Sequence, residues 1–140
     1  MISDGWEHFP HEADIGVRGI GATRDAAFEQ AALALSAVIV DLNSVDPIQA
    51  ILIACEAPDS ELLFVDWLNA LVYAMATGKM LFSRFEVRLE GDKLSAKAWG
   101  EPIDLARHHP AVEVKGATFT ELRVAQRPDG TWVAQCVVDV

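Results

Sequence analysis

Positive charge is scarce in this chain: Lys and Arg number 11 against 21 Asp and Glu, for a formal net charge of −10. Binding to a nucleic-acid backbone by charge alone rewards dense Lys and Arg. The balance therefore argues against direct, unassisted nucleic-acid binding and suits docking onto a basic partner surface. Cysteine is almost missing too. Cys55 and Cys136 have no ligand-like spacing, and two thiols in a chain of this size are usually buried and free, so a disulfide has no support. No apolar stretch reaches a membrane span before Glu, Asp or Asn interrupts it. Met1-Ile2-Ser3-Asp4-Gly5 lacks the basic start and apolar core of a signal peptide. The expected location is the cytoplasm, with no membrane contact. Repeats, low-complexity tracts and long linkers are lacking as well.

Familiar catalytic signatures are also missing. Gly16, Gly19 and Gly21 do not have the G-x-G-x-x-G spacing of a nucleotide loop. There is no serine elbow, CxxC pair or HExxH helix. The sequence gives no evidence of a self-sufficient active site.

What is present is a globular composition, 51% apolar and 23% charged over 140 residues. It predicts one domain, residues 1–140, able to bury a core without disulfide or zinc support. Residues 5–9 and 15–20 read as short strands around the polar turn His11-Glu12-Ala13-Asp14. Thr23 is a candidate N-cap, and Phe28, Ala31, Ala32, Leu35, Val38 and Ile39 then recur at helical spacing. That helix is expected to stop near Asp41-Leu42-Asn43. Residues 48–56 suit a buried strand. Pro58-Asp59-Ser60 opens a second helix, Glu61 to Thr77, closed by Gly78 as C-cap. The second half reads as β: a half-buried strand around Phe85, Val87 and Leu89, a reversal at Gly91-Asp92 into Leu94–Trp99, strands at 112–119 and 121–126, and a turn at Arg127–Gly130 into a last strand, Thr131 to Asp139. Residues 101–110 read as a loop. The predicted fold class is α+β, two helices packed on a mostly antiparallel sheet.

Two carboxylates at opposite ends of the chain are the most informative residues. Asp139 closes the apolar run Cys136-Val137-Val138. It either points to water from a frayed end or stays in the sheet, where an unpaired carboxylate is costly to desolvate. The carboxylate of Val140 adds a hard oxygen donor one residue away. Asp14 is either a turn former or one of a compact polar cluster with His11 and Glu12. If the first and last strands are neighbours, Asp14, Asp139 and Val140 converge. Oxygen donors of this kind suit Ca²⁺, Mg²⁺ or Mn²⁺. Lys115 is either a solvated edge residue or a cation close to both carboxylates, since Glu113, Lys115, Ala117 and Phe119 would share a face. His108 and His109 are read as loop-surface residues.

These residues carry a resemblance to the archease family. It runs through His11-Glu12-Ala13-Asp14-Ile15-Gly16, the helix from Asp25 to Leu35, Val40-Asp41-Leu42, Trp67-Leu68-Asn69, Phe82-Ser83-Arg84-Phe85, Trp99-Gly100-Glu101-Pro102, Arg107-His108, Val114-Lys115 and Val138-Asp139-Val140. The resemblance implies a non-catalytic activator of the RtcB-type tRNA-splicing ligase, one that promotes guanylylation of the ligase histidine and repeated turnover. It implies that Asp14, Lys115 and Asp139 do the activating. It also implies a divalent ion, calcium with magnesium or manganese as alternatives, held by Asp14, Asp139 and Val140. His11, Glu12 and Asp41 are supporting candidates. RNA would be met only through the partner. Glu12 stands where the family usually has Thr, and Gly116 where it often has Ala. Two other classes compete: a chaperone-like modulator of an RNA-modifying enzyme such as a tRNA methyltransferase, and a small divalent-metal-dependent hydrolase. The first would change a partner's assembly state with no need for GTP. The second would release phosphate unaided.

Overall fold

The structure, a computed structural model, describes residues 4–140. Strands β1 (Gly5–His11) and β2 (Asp14–Gly21) form a hairpin whose turn is Glu12-Ala13. Glu12 closes it in the left-handed region, at φ 52°. Helix α1 (Arg24–Ile39) starts where Thr23 accepts a hydrogen bond from the Ala26 amide, satisfying one of the free first-turn donors. It ends at Ile39, a little before the expected stop. A short 3-10 turn, Leu42–Ser44, follows, capped by Asp41. Strand β3 (Gln49–Glu56) leads to helix α2 (Ser60–Gly78), N-capped by Asp59. The C-cap of α2 is Lys79, left-handed at φ 53°, rather than Gly78, which remains the last helical residue.

Strands β4 (Met80–Glu90) and β5 (Lys93–Pro102) make the expected hairpin over Gly91-Asp92. Residues 101–110 are not all loop: Glu101 and Pro102 finish β5, and a one-turn helix α3 (Leu105–His108) follows, capped by Asp104. Only Gly116–Ala117 (β6) and Arg123–Gln126 (β7) are strands within the regions expected at 112–119 and 121–126. Strand β8 (Trp132–Asp139) closes the fold.

The class is α+β, as the sequence indicates. The strands divide between two sheets, and every pairing is antiparallel. The larger has the order β1-β2-β8-β6, with β7 also on β8; the smaller is β3-β5-β4. Helix α1 lies on β2 so closely that a methyl group on Gly19 would overlap the backbone of Ala27 and Ala31. It also ties the sheets together: Glu29 and Asp25 accept hydrogen bonds from the Val87 and Leu89 amides of β4. Phe28, Leu35, Phe64, Trp67, Leu68 and Phe82 are fully buried between the helices and the sheets. Strand β3 is an edge strand with one face in solvent, not the buried strand its composition suggests; Leu52 is 79% exposed. No helix among the described residues is long and apolar enough to cross a membrane.

Candidate functional site

The register of β2 on β8 builds one corner of the domain. Ile15 pairs with Val138, and both pack toward the core. The next residues along are Asp14 and Asp139, so the alternation of strands turns both outward on the same face. Directly opposed residues in such a ladder have Cβ atoms about 5 Å apart. The Val140 amide makes a long hydrogen bond of 3.4 Å to Asp14 Oδ1. Two residues 126 positions apart in sequence thus meet at one point.

The other flank of β8 brings in Lys115. Its amide donates to the Asp139 carbonyl at 2.8 Å, and Gly116 stands opposite Asp139 in register. Lys115 lies just before β6 rather than within a strand. Lys115 is exposed, as a solvated edge residue would be, and so are Glu113 and Phe119; Phe119 is 68% exposed. Among the described residues neither Asp14, Asp139 nor Lys115 forms an ion pair within 4.0 Å. The corner therefore holds two carboxylates with no protein ion-pair partner among the described residues, and a lysine close by along the backbone.

The supporting candidates fall at the same end of the fold. His11 is half-buried and pairs with Asp14 across the hairpin, while Glu12 is exposed at the turn. Helix α1 runs back along β2: Ala27 and Ala31 meet Gly19, and the Ala34 carbonyl meets His8 Nε2. Its last residues, and Asp41 beyond them, thus return toward Asp14. The Asp41 carboxylate caps Asn43 at 3.0 Å and has no hydrogen bond or ion pair to either corner aspartate among the described residues.

The oxygen-only donor set fits a hard divalent cation in kind. Its number is small: no cluster of three or more His, Cys, Asp or Glu side chains occurs among the described residues. A further oxygen donor at this corner is available from the main chain, where Val140 meets Asp14.

Two features escaped the sequence. Asn69, an exposed polar residue on the apolar helix α2, accepts the Ala117 amide at 2.9 Å and so pins β6 beside Asp139. Its Oδ1 would lie 3.2 Å from a Cβ placed on Gly116, so the small residue there leaves that bond unstrained. The second is a buried polar cluster at Glu101. Its carboxylate takes the Asp46 amide at 2.6 Å, an Arg107 guanidinium nitrogen, and His108 Nε2 at 3.0 Å. His108 Nδ1 accepts from the Asp104 amide, which leaves the ring proton on Nε2 to donate to Glu101. His108 is thus buried, contrary to the loop-surface reading; His109 is exposed. These donors, Arg107 first, hold the Glu101 carboxyl down to about 2. The cluster fixes Arg107 and His108, ahead of the segment that runs on to Lys115. Beside that segment lies an apolar cleft of about 460 Å³, lined by Ile39, Val72, Met75, Met80, Ile103 and Val112.

Comparison with known proteins gives a consistent picture. Residues 6–140 match the family model described as the Archease protein family (MTH1598/TM1083). "Protein archease" of Pyrococcus abyssi is 40% identical over 139 residues, covering 96% of this chain and 98% of that one. Its namesake in Methanosarcina barkeri is 38% identical over 147 residues, with both chains fully covered. The solution structure of Methanobacterium thermoautotrophicum protein 1598 superposes with a TM-score of 0.85 at 31% identity, over 97% of this chain and 99% of that one.

Proposed function

The chain belongs to the archease family, and from that premise we propose that it activates an RtcB-type RNA ligase without turnover of its own. The observation that carries the reading is the meeting of Asp14 and Asp139 on adjacent strands, with Lys115 bonded through its backbone to the second. The activity is stimulation: guanylylation of the ligase histidine, and hence multiple turnover in tRNA splicing and RNA repair.

The residues divide the work as follows. Asp14 and Asp139, with a main-chain oxygen of Val140, hold a divalent cation, calcium first and magnesium or manganese as alternatives. When bound, that ion neutralises phosphate charge. Lys115 presents an exposed ammonium that meets a phosphate or the ligase itself. Asn69, and the bond from the Lys115 amide to Asp139, keep Lys115 and β6 in place, so the groups are set before the partner arrives. With its charge of −10, the protein meets a basic surface of the ligase, and RNA is reached only through that partner.

The test is ligation under multiple-turnover conditions, with the ligase, GTP and a divalent salt, with and without this protein. Asp14→Ala and Asp139→Ala should fold normally yet lower stimulation by roughly tenfold or more, the scale on which disturbing a metal-linked group is felt. Lys115→Ala should act in the same direction. Full stimulation by both aspartate variants refutes the reading.

A further inference from the structure

An edge strand offers unpaired N–H and C=O groups to any strand that reaches it, and folded proteins usually blunt such edges. Three of the four sheet edges here are guarded. On β1, Glu7 places a charge and Pro10 removes a donor. On β4, the Val87 amide is taken by Glu29 at 2.7 Å and the Leu89 amide by Asp25 at 3.2 Å. Beyond β8, the Ala117 amide is taken by Asn69 and the Val124 amide by Glu61 at 3.3 Å.

Strand β3 is the exception. Its eight residues, Gln49–Glu56, contain no proline, no lysine and no bulge. No ionisable carboxylate or base precedes Glu56 at its end. Among the described residues no side chain hydrogen-bonds to its outer edge. Its solvent face presents Ala50, Leu52 and Ala54, and Ile48 just ahead is 70% exposed.

We propose that β3 is a self-association edge: two copies of this chain pair β3 with β3, antiparallel about a two-fold axis, and join two three-stranded sheets into one of six. The sequence of the strand is self-complementary in that arrangement. Same-face residues must oppose each other. With Leu52 opposite Leu52 of the second copy, Ala50 faces Ala54, Ile51 faces Ile53, and Glu56 faces Ile48. No like charges meet along the seam. The rest of the sheet agrees. Its outer face carries Arg84, Arg88, Lys93 and Lys97 beside Glu56, Glu86 and Glu90, all exposed. In a chain of charge −10, this face is close to neutral, so two copies meet less local repulsion here than the acidic remainder of the surface would impose. The contact is isologous and closes at the dimer.

Sedimentation velocity of the full chain across a concentration series tests this, alongside the exposed-site variant Leu52→Lys, whose fold is checked by circular dichroism. The wild type should sediment as a dimer at high concentration. Leu52→Lys puts like charges directly opposite each other and should weaken dimerisation by about tenfold or more. Oxidation of Leu52→Cys in a Cys55→Ala background should give a covalent dimer, since opposed strand residues match disulfide spacing. Ala54→Cys in the same background, facing Ala50, should not. A wild type that stays monomeric at every concentration overturns the proposal. So does a dimer indifferent to Leu52→Lys, or one that Ala54→Cys links and Leu52→Cys does not. Pairing of β3 only with a strand of another protein leaves the wild type monomeric and overturns it equally.

Discussion

Glu101 accepts from three donors while almost enclosed, its side chain 7% exposed. Its carboxyl sits near 2, below the ordinary value of 4.5. A depressed carboxyl favours the folded state once ionised, so its stabilisation is complete above about pH 4.5 and drains away as pH falls toward 2. Glu101→Gln should lower the thermal midpoint by several degrees at neutral pH and flatten the acid limb of the stability curve in that window. Scanning calorimetry from neutral to acid pH checks both. If Glu101→Gln keeps the full acid limb, some other carboxylate carries it. This cluster was invisible in the sequence because His108 finds its partner on a strand end across a loop, and adjacent histidines give no sign of which one turns inward. Asp139 was legible as a candidate because it closes an apolar run, and Asp14 because it stands in a compact polar cluster with His11 and Glu12. That they meet is a property of the register alone. Asn69 left only a faint signal, one amide on a helix otherwise apolar at that level.

The elements were legible where local chemistry decides them. Thr23 and Asp59 cap the two long helices as their side chains predict, and the Gly91-Asp92 reversal makes the β4–β5 hairpin. Long-range packing decided the rest. Composition marks β3 as buried, but no described residue covers its outer face; the run 112–119 keeps only two strand residues, since β7 takes Trp132–Gln135 of the same β8 edge and β8 ends at Asp139. Lys79 in place of Gly78 as C-cap shifts the end of α2 by a single residue. Helix α1 sits on β2 without room for a side chain at Gly19. Gly19→Ala should therefore cost about 1–3 kcal/mol or more, whereas Thr23→Ala should cost about 1 kcal/mol through the lost cap. Urea unfolding of the two variants ranks them. A milder effect at Gly19 than at Thr23 would mean that α1 shifts easily over the sheet.

For the whole molecule, charge is the dominant property. A body of charge −10 that docks on a basic surface is steered to it over distances comparable with the Debye length, about 10 Å at 0.1 M salt. If the proposed function holds, raising ionic strength should thus slow association with the ligase more than it speeds release. Stopped-flow binding across a salt series reads this; an association rate indifferent to salt would show that charge does not guide the encounter.

The β2–β8 ladder joins residues more than a hundred positions apart; Arg18 and Gln135, bonded across it, are 117 apart. Closing a loop that long is entropically costly and late, because nearer contacts must form first. The corner that carries Asp14 and Asp139 is thus expected to form late in refolding. Trp67, buried against α1 with its indole N–H on the Phe28 carbonyl, should report core formation earlier. In a variant whose other tryptophans, Trp6, Trp99 and Trp132, are replaced by Phe, recovery of Trp67 fluorescence before recovery of the proposed ligase stimulation would show that competence is the final kinetic event, gated by one strand sliding home.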